Sequence, residues 1–369
     1  MSNNKIEIRH IRSLEEFESL QNQWDELFKA CSKQTVFLTW EWLTAWWNHW
    51  QPGKELWLIT AWYEDKLVGV APLMKTVVRK YGLKYQLIHS LGAPNTDESD
   101  FFALGNDMQI LGAFCDYLQS QRGQWDALEL NEFHLENPTA KFVEEYFAER
   151  GYVIRAKPNT HYHIPIEETW DGYWKKLSKN LRHNIERRLR RVQENHQLGL
   201  QVIEGRDMIW DTFEEIFAVN TKGNYPEKYK SEQERNFHRE LMERMRARNW
   251  IRIAILRFDE HATAYDYGFA VNGKFEDWRT GFDLNYADWG GGTLMLYFEL
   301  KYLFTEKYQD LDFLRGEYSY KDKWVPAIRE FVELRIVPPY KLSARLALIW
   351  LPNIWSWIKS KRKKKNNKT

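Results

Sequence analysis

The sequence predicts an α+β chain made of two copies of one unit, followed by a separate C-terminal helix. Three observations point there. Each half runs helices, an antiparallel strand meander, a helix and one further strand. The 369 residues are more than one ordinary domain needs. A hydrophobic fraction of 43%, with 16% aromatics, is enough for two real cores. The expected division is residues 1–160, 161–340 and 341–369.

The elements follow in order. Residues 6–12 alternate and read as a strand. Ser13 and Glu16 form a capping-box pattern that opens a helix over 14–30. A Trp-rich helix spans 37–50. Strands at 56–63 and 67–76 flank Glu64-Asp65-Lys66 as a hairpin. Strands near 84–91 and 100–104, a helix at 109–122, a strand at 126–130 and a helix at 138–150 follow, with Gly151 in a C-cap position. Strands at 152–156 and 161–166 close this half. The second half opens with a basic helix over 171–195, then helices at 207–223 and 231–247. Strands at 251–258, 262–271 and 275–282 form a meander that turns at Asn272-Gly273. Gly290-Gly291-Gly292 precede a helix at 293–308. A strand at 311–316, a short helix at 318–324 and a strand at 331–337 complete it.

The formal charge of +1 excludes a globally basic nucleic-acid binder and a globally acidic buffer protein. It conceals two basic clusters. Residues 175–191 hold eight positives and one acid, and residues 359–369 hold seven positives and no acid, so the remainder is acidic by 13. The two cysteines, Cys31 and Cys115, imply neither a disulfide framework nor a zinc site. No apolar leader opens the chain, which suggests a reducing cytoplasm. Nineteen tryptophans suit either a buried core or sugar contacts, and the core is the commoner use. No Ser-His-Asp signature, Walker loop or His-Glu-x-x-His occurs. His161 and His163 share a strand face without a third ligand nearby and read as solvent-facing, so no metal is expected.

Several segments carry a family likeness. Phe37-Leu38-Thr39-Trp40-Glu41-Trp42 with Trp46-Trp47, then Leu181-Arg182-His183-Asn184 with its Arg-rich continuation, then Asp312-Phe313-Leu314-Arg315-Gly316 with Tyr320, Lys321 and Trp324, stand in that order. Together they resemble the CelD-like acetyltransferases of cellulose and exopolysaccharide biosynthesis, members of the GNAT superfamily related to the Fem-type aminoacyl transferases. The resemblance covers most of 35–337. It implies two GNAT-like lobes, each a mixed, mostly antiparallel sheet flanked by helices. It implies an acyl-CoA donor, acetyl-CoA foremost, no metal, and an amino-sugar or polysaccharide precursor as acceptor. A Fem-type relative would use charged tRNA instead, and a non-catalytic scaffold is the remaining alternative. Where the family usually shows Ser-Pro-Gly, this chain has Asp288-Trp289-Gly290-Gly291-Gly292-Thr293, without the basic residue of an acyl-CoA loop.

Glycines at a helix start let backbone amides approach a phosphate, so Gly290, Gly291, Gly292 and Thr293 are the donor-binding candidates. Acyl transfer to an amine needs a base and an acid. Asp266, Glu276, Asp277 and Asp283 lie on or beside the meander strands. Asp266 points away from the face shared by Tyr265, Tyr267 and Phe269, and is the candidate base. Asp312, Arg315, Tyr320 and Lys321 form the foremost catalytic candidate, since Arg315 can clamp an anion bidentately. Arg182 and Asn184 on the basic helix, with Trp278, are the candidate substrate-binding residues. That helix carries Trp174, Leu177, Leu181, Ile185 and Val192 as a buried stripe, and its opposite face suits tRNA, a polyprenyl phosphate or an anionic lipid surface.

Residues 342–358 are strongly apolar. As a helix they reach only about 25 Å, short of the ~30 Å hydrocarbon core. Ala347, Trp350, Leu351, Ile354, Trp355 and Ile358 share one face, and the polybasic 359–369 follows. This pattern reads as an in-plane anchor at the inner face of the cytoplasmic membrane.

Overall fold

A computed structural model of the chain describes residues 5–316 and 320–351. The chain divides into two compact units, one of Met1–Asn159 with Glu330–Thr369, the other of Thr160–Arg329.

Unit 1 begins with β1 (Glu7–Ile11), α1 (Leu14–Ser19), α2 (Gln21–Ala30) and α3 (Trp40–Trp50). The Ser13–Glu16 capping box is formed, but the expected 14–30 helix breaks at Leu20. Thr39 caps α3, whose tryptophans pack inward. Strands β2 (Lys54–Leu56), β3 (Leu58–Tyr63), β4 (Lys66–Ala71), β5 (Leu73–Lys80), β6 (Leu83–Ser90) and β7 (Phe102–Ala103) follow, then α4 (Met108–Ser120), β8 (Ala127–His134) and α5 (Pro138–Ala148). One antiparallel sheet runs β1-β3-β4-β7. In the other, β5 pairs antiparallel with β2 and β6, and β6 pairs parallel with β8 at Leu87↔Ala127. Trp24, Trp42, Trp46, Trp57 and Trp125 are fully buried, so the high Trp count is largely core.

The chain crosses to unit 2 within β9 (Val153–Pro165), one strand where two were expected. Unit 2 continues with α6 (Trp170–Lys176), α7 (Lys179–Asn195), β10 (Leu198–Glu204), α8 (Trp210–Thr221), α9 (Glu232–Ala247), β11 (Ile251–Phe258), β12 (His261–Val271), β13 (Lys274–Phe282), α10 (Gly291–Thr305) and β14 (Asp310–Arg315). The expected single basic helix is two. Leu177 is extended, and Ser178 starts α7 afresh by accepting from the Leu181 amide at 3.2 Å. Strand β10 has no counterpart among the elements expected from sequence; it adds a fourth antiparallel strand to the meander β10-β11-β12-β13.

Two irregularities mark this sheet. Strand β13 carries one extra residue opposite β12: Tyr267 pairs with Arg279, but Phe269 pairs with Glu276. This bulge works because Gly268 is bare; a Cβ there would come 2.0 Å from the Glu276 carbonyl oxygen. Strand β14 pairs parallel with β13 only from Lys274↔Asp310 to Glu276↔Asp312, so the two strands part beyond that point.

The chain returns to unit 1 through β15 (Ala327–Val337), whose Phe331–Ile336 stretch pairs antiparallel with β8. The expected 161–340 boundary is therefore corrected: residues from Glu330 on belong to unit 1, because β15 completes that unit's sheet. Unit 1 then repeats the strand order of unit 2, a parallel neighbour followed by an antiparallel one. The final helix α11 (Leu342–Arg345) widens to π geometry over Leu346–Trp350. Its Ala344, Ala347, Leu348 and Ile349 pack against Tyr85, Leu87, Ala127 and Val337. The start of the expected membrane helix is thus docked on unit 1, with Trp350 left exposed. Ile354, Trp355, Ile358 and the tail 359–369 lie outside the described residues. No helix among the described residues is long and apolar enough to cross a membrane.

Candidate active site

The α10 side of the unit 2 sheet holds a cavity of about 690 Å³. Its walls come from α7, the turn before α10, the splayed ends of β13 and β14, and the Tyr320–Trp324 turn. Alternation along β12 sends Tyr265, Tyr267 and Phe269 to the far face, where they pack with Trp278, His238 and Phe213. Asp266, on the near face, is 3% exposed and lines the cavity. The β13 bulge lets both Asp277 and Thr280 face the same space.

Asp266 and Asp277 form a carboxylate pair at this wall. Burial raises the Asp266 carboxyl well above the usual range, and the Asp277 charge adds to it. Burial and the Glu299 carboxylate push Asp277 up to about 7. The Asp277 Oδ1 is buried and has no hydrogen-bond partner among the described residues. Each carboxyl therefore keeps its proton to higher pH than a free acid does. Behind them, Arg252 and Glu299 form a bidentate pair, 0% and 1% exposed, and Arg252 Nε donates to Glu204 at 2.8 Å.

The opposite end of the cavity is cationic. Gly290 has φ +78°, a left-handed conformation, and caps α10. A Cβ on Gly290 would fall 1.6 Å from Arg188 Nη1, so the α7 guanidinium lies directly on the glycine backbone. Arg188 Nε donates to Asn184 Oδ1 at 2.7 Å. Burial, and then the charges of Arg187 and Arg191, hold the Arg188 pKa below the usual guanidinium value. The first amides of α10 have no acceptor within the helix, and the helix dipole adds positive potential there. The basic residue missing from the glycine turn is thus supplied by α7.

Of the residues singled out from sequence, Gly290, Gly291, Gly292, Thr293, Asn184, Asp266, Asp277 and Tyr320 line this cavity. The others do not, each for a structural reason. Asp312 is fully buried and paired with Lys274 at 3.0 Å and Arg329 at 2.5 Å. Burial works to raise its pKa, but those two cations pull it below the usual range. Lys321 is buried and donates Nζ to the carbonyls of Phe313 and Gly316, tying the turn after β14. Arg315 ends β14, exposed, across from His161. Arg182 Nε donates to the Leu177 carbonyl at 3.2 Å and closes the α6–α7 junction. Trp278 lies on the far face of the sheet. His161 and His163 are not solvent-facing: His161 is 0% exposed and His163 Nδ1 pairs with Asp310 at 2.9 Å.

The structure adds Arg188, Asn180, Ser178, Thr280 and Lys323 to the cavity. The spacing Asn180, Asn184, Arg188 is a helical stripe that sequence inspection can find. Asp277 stands among the sequence's candidate acids, but its partnership with Asp266 depends on strand pairing.

Residues 179–322 match the family model described as an acetyltransferase (GNAT) domain. The match opens with α7 and ends in the Tyr320–Trp324 turn, so it frames the cavity. Those residues thus carry a GNAT-type domain, and the protein is an acyltransferase, which implies an acyl donor and an acceptor. The fold is similar to the crystal structure of FemX, at 11% identity over 88% of this chain and 96% of that one, TM-score 0.60. It is also similar to a conserved protein of unknown function from Bacteroides thetaiotaomicron VPI-5482, at 10% identity over 90% of this chain and 100% of that one, TM-score 0.55. At such identities the likeness is one of fold. No curated protein matches the chain.

Proposed function

We propose that the protein is an N-acyltransferase that uses an acyl-CoA, acetyl-CoA foremost, to acylate a primary amine. The observation that carries this reading is the polarity of one cavity, with a guanidinium and a helix N-terminus at one end and two buried carboxyls, Asp266 and Asp277, at the other. The donor phosphates sit against Gly291, Gly292 and Arg188. The thioester reaches the gap where β13 and β14 part. An ammonium is drawn to Asp266 and Asp277, and Asp277 takes its proton. The free amine attacks the thioester carbonyl, the C–N bond forms, and the C–S bond breaks as the tetrahedral intermediate collapses. The Tyr320 hydroxyl, on the same cavity, gives its proton to the departing thiolate and is restored by the second proton that the nitrogen sheds on becoming an amide, while the first leaves Asp277 to solvent.

The CelD-like resemblance supports an envelope precursor as acceptor. The polybasic 359–369 supports work at a membrane face. Truncation after Leu351 is expected to move the protein from the membrane fraction to the supernatant; an unchanged distribution refutes that location.

The donor assignment is tested by thermal shift and by thiol release. Acetyl-CoA at micromolar concentration is expected to raise Tm, and amines to accelerate CoA release. Gly290→Ala should strain the left-handed turn and displace Arg188, weakening acetyl-CoA binding about 10–100-fold, the value of a charge-assisted hydrogen bond. A second reading, aminoacyl-tRNA as donor, draws on the exposed Lys179, Arg187, Arg190 and Arg191 of α7. It predicts activity that ribonuclease abolishes and no response to acetyl-CoA.

A further inference from the structure

Helix α7 carries more positive charge toward its C-terminal end than one diphosphate needs. Arg191 stands one turn, about 5 Å, beyond Arg188. Its Nη1 donates to the Asp288 carbonyl at 3.3 Å, and its guanidinium carbon lies 4.3 Å from the centre of the Trp289 ring. The ring of His196 meets Trp289 edge-on at 4.8 Å, fixing the indole just before Gly290. Arg187 precedes Arg191 by four residues, on the same edge of the helix. Among the described residues, none of Arg187, Arg188 and Arg191 is ion-paired with a carboxylate. Glu186 and Glu194 of the same helix form no such pair with them. Asp288 offers Arg191 its carbonyl rather than its acid.

Three guanidiniums gathered without an acid repel one another, and an anion of high charge relieves that repulsion. Arg188 is already committed to the glycine turn by its contact with Gly290 and its bond to Asn184. Arg187, its neighbour in the chain, and Arg191, one turn further along, remain, and neither lines the cavity.

We propose that Arg187 and Arg191 form a second anion subsite beside the Gly290–Arg188 turn, which takes a phosphate monoester on the nucleotide portion of the donor. In a CoA thioester this group is the ribose 3′-phosphate. The inference rests on the acyl-CoA reading above and deepens it. It makes the enzyme read the nucleotide end of its donor, and it separates free CoA thioesters from acyl groups carried on a bare phosphopantetheine arm. Arg191 is held ready by Trp289 and the Asp288 carbonyl, and its planar fork suits a phosphate bidentately.

The test is calorimetric titration of the full chain with CoA, dephospho-CoA and 4′-phosphopantetheine. The native protein is expected to bind CoA about tenfold or more tighter than dephospho-CoA, the value of one charge-assisted hydrogen bond. In the double variant R187Q/R191Q, CoA should weaken to the dephospho-CoA level, with the other two ligands unchanged. Arg191→Lys keeps the charge without the fork and should lose most of the preference, which covers the case where the double variant misfolds. Lys301→Gln, at an exposed position of α10 beyond the cavity, should change nothing. Equal binding of CoA and dephospho-CoA by the native protein, or a preference that survives R187Q/R191Q, overturns the subsite. If phosphopantetheine binds as tightly as CoA, the donor reading stands and the subsite falls. If none of the three binds, both fall.

Discussion

Replacing Asp277 with Asn is expected to lower kcat/KM for the acceptor about 10²–10⁴-fold, the range of a lost general base, with acetyl-CoA affinity nearly unchanged. The direction of its pH behaviour is fixed by the structure. Burial and Glu299 raise the Asp277 carboxyl to about 7, so the base form appears as pH rises through that value. The native rate should climb with an inflection near pH 7, and the residual rate of Asp277→Asn should lack it. Stability moves the other way. A carboxyl whose folded pKa lies above its unfolded value binds more protons in the folded state, so stability is lost as pH rises from about 4 to 7. Asp277→Asn removes that loss, and above pH 7 the inactive variant should melt higher than the native protein. A variant that is both inactive and less stable at pH 8 would refute the assignment, because it would make Asp277 a structural residue. A similar loss on Asp266→Asn is expected, since the two carboxyls act as a unit.

Removing Arg252 should have the largest effect on stability. Its guanidinium is 0% exposed, held bidentately by Glu299 and once by Glu204, and lies 4.6 Å from the Phe275 ring centre. Arg252→Met strands the Glu299 carboxylate in the core. Breaking one side of a buried ion pair costs about 3–5 kcal/mol, and urea denaturation reads this directly. The double replacement R252M/E299L removes both charges and should recover most of that loss, because well-packed apolar residues replace buried pairs at little cost. An additive loss would show that the two residues do not act as a pair. The same pair tunes the cavity. Glu299 raises the Asp277 carboxyl and Arg252 lowers it. Glu299→Gln should therefore shift the rate inflection to lower pH, a readout that a merely structural role would not move.

Local pattern made much of the cavity legible. The alternation of Tyr265, Asp266 and Tyr267 placed one acid against two aromatics, and the strand keeps that parity. Gly290–Gly292 announced a tight helix start, and α7 announced its buried stripe. What stayed hidden depends on contacts distant in sequence. Arg188 meets Gly290 across roughly a hundred residues. Asp277 joins Asp266 only through pairing that an inserted residue offsets. Asp312 and Lys321 looked chemical because a charged residue at a strand end reads the same whether it faces substrate or a neighbouring cation. The tertiary structure assigns them to Lys274, Arg329 and two backbone carbonyls. Strand β10 escaped because Leu198–Glu204 is short, half-exposed and carries a glycine.

The return of β15 to unit 1 has a consequence for how the polypeptide is made. Phe331 pairs with His134, and the whole of Thr160–Arg329 is synthesised between them. At about 5–20 residues per second, those 170 residues delay the closing strand by roughly 10–30 s. Unit 2 is continuous in sequence and can mature on the ribosome as it emerges, whereas the N-terminal unit must wait with β8 lacking its last partner. The unit made earlier of the two is thus the later to be finished, and its β8 edge stays open until β15 arrives.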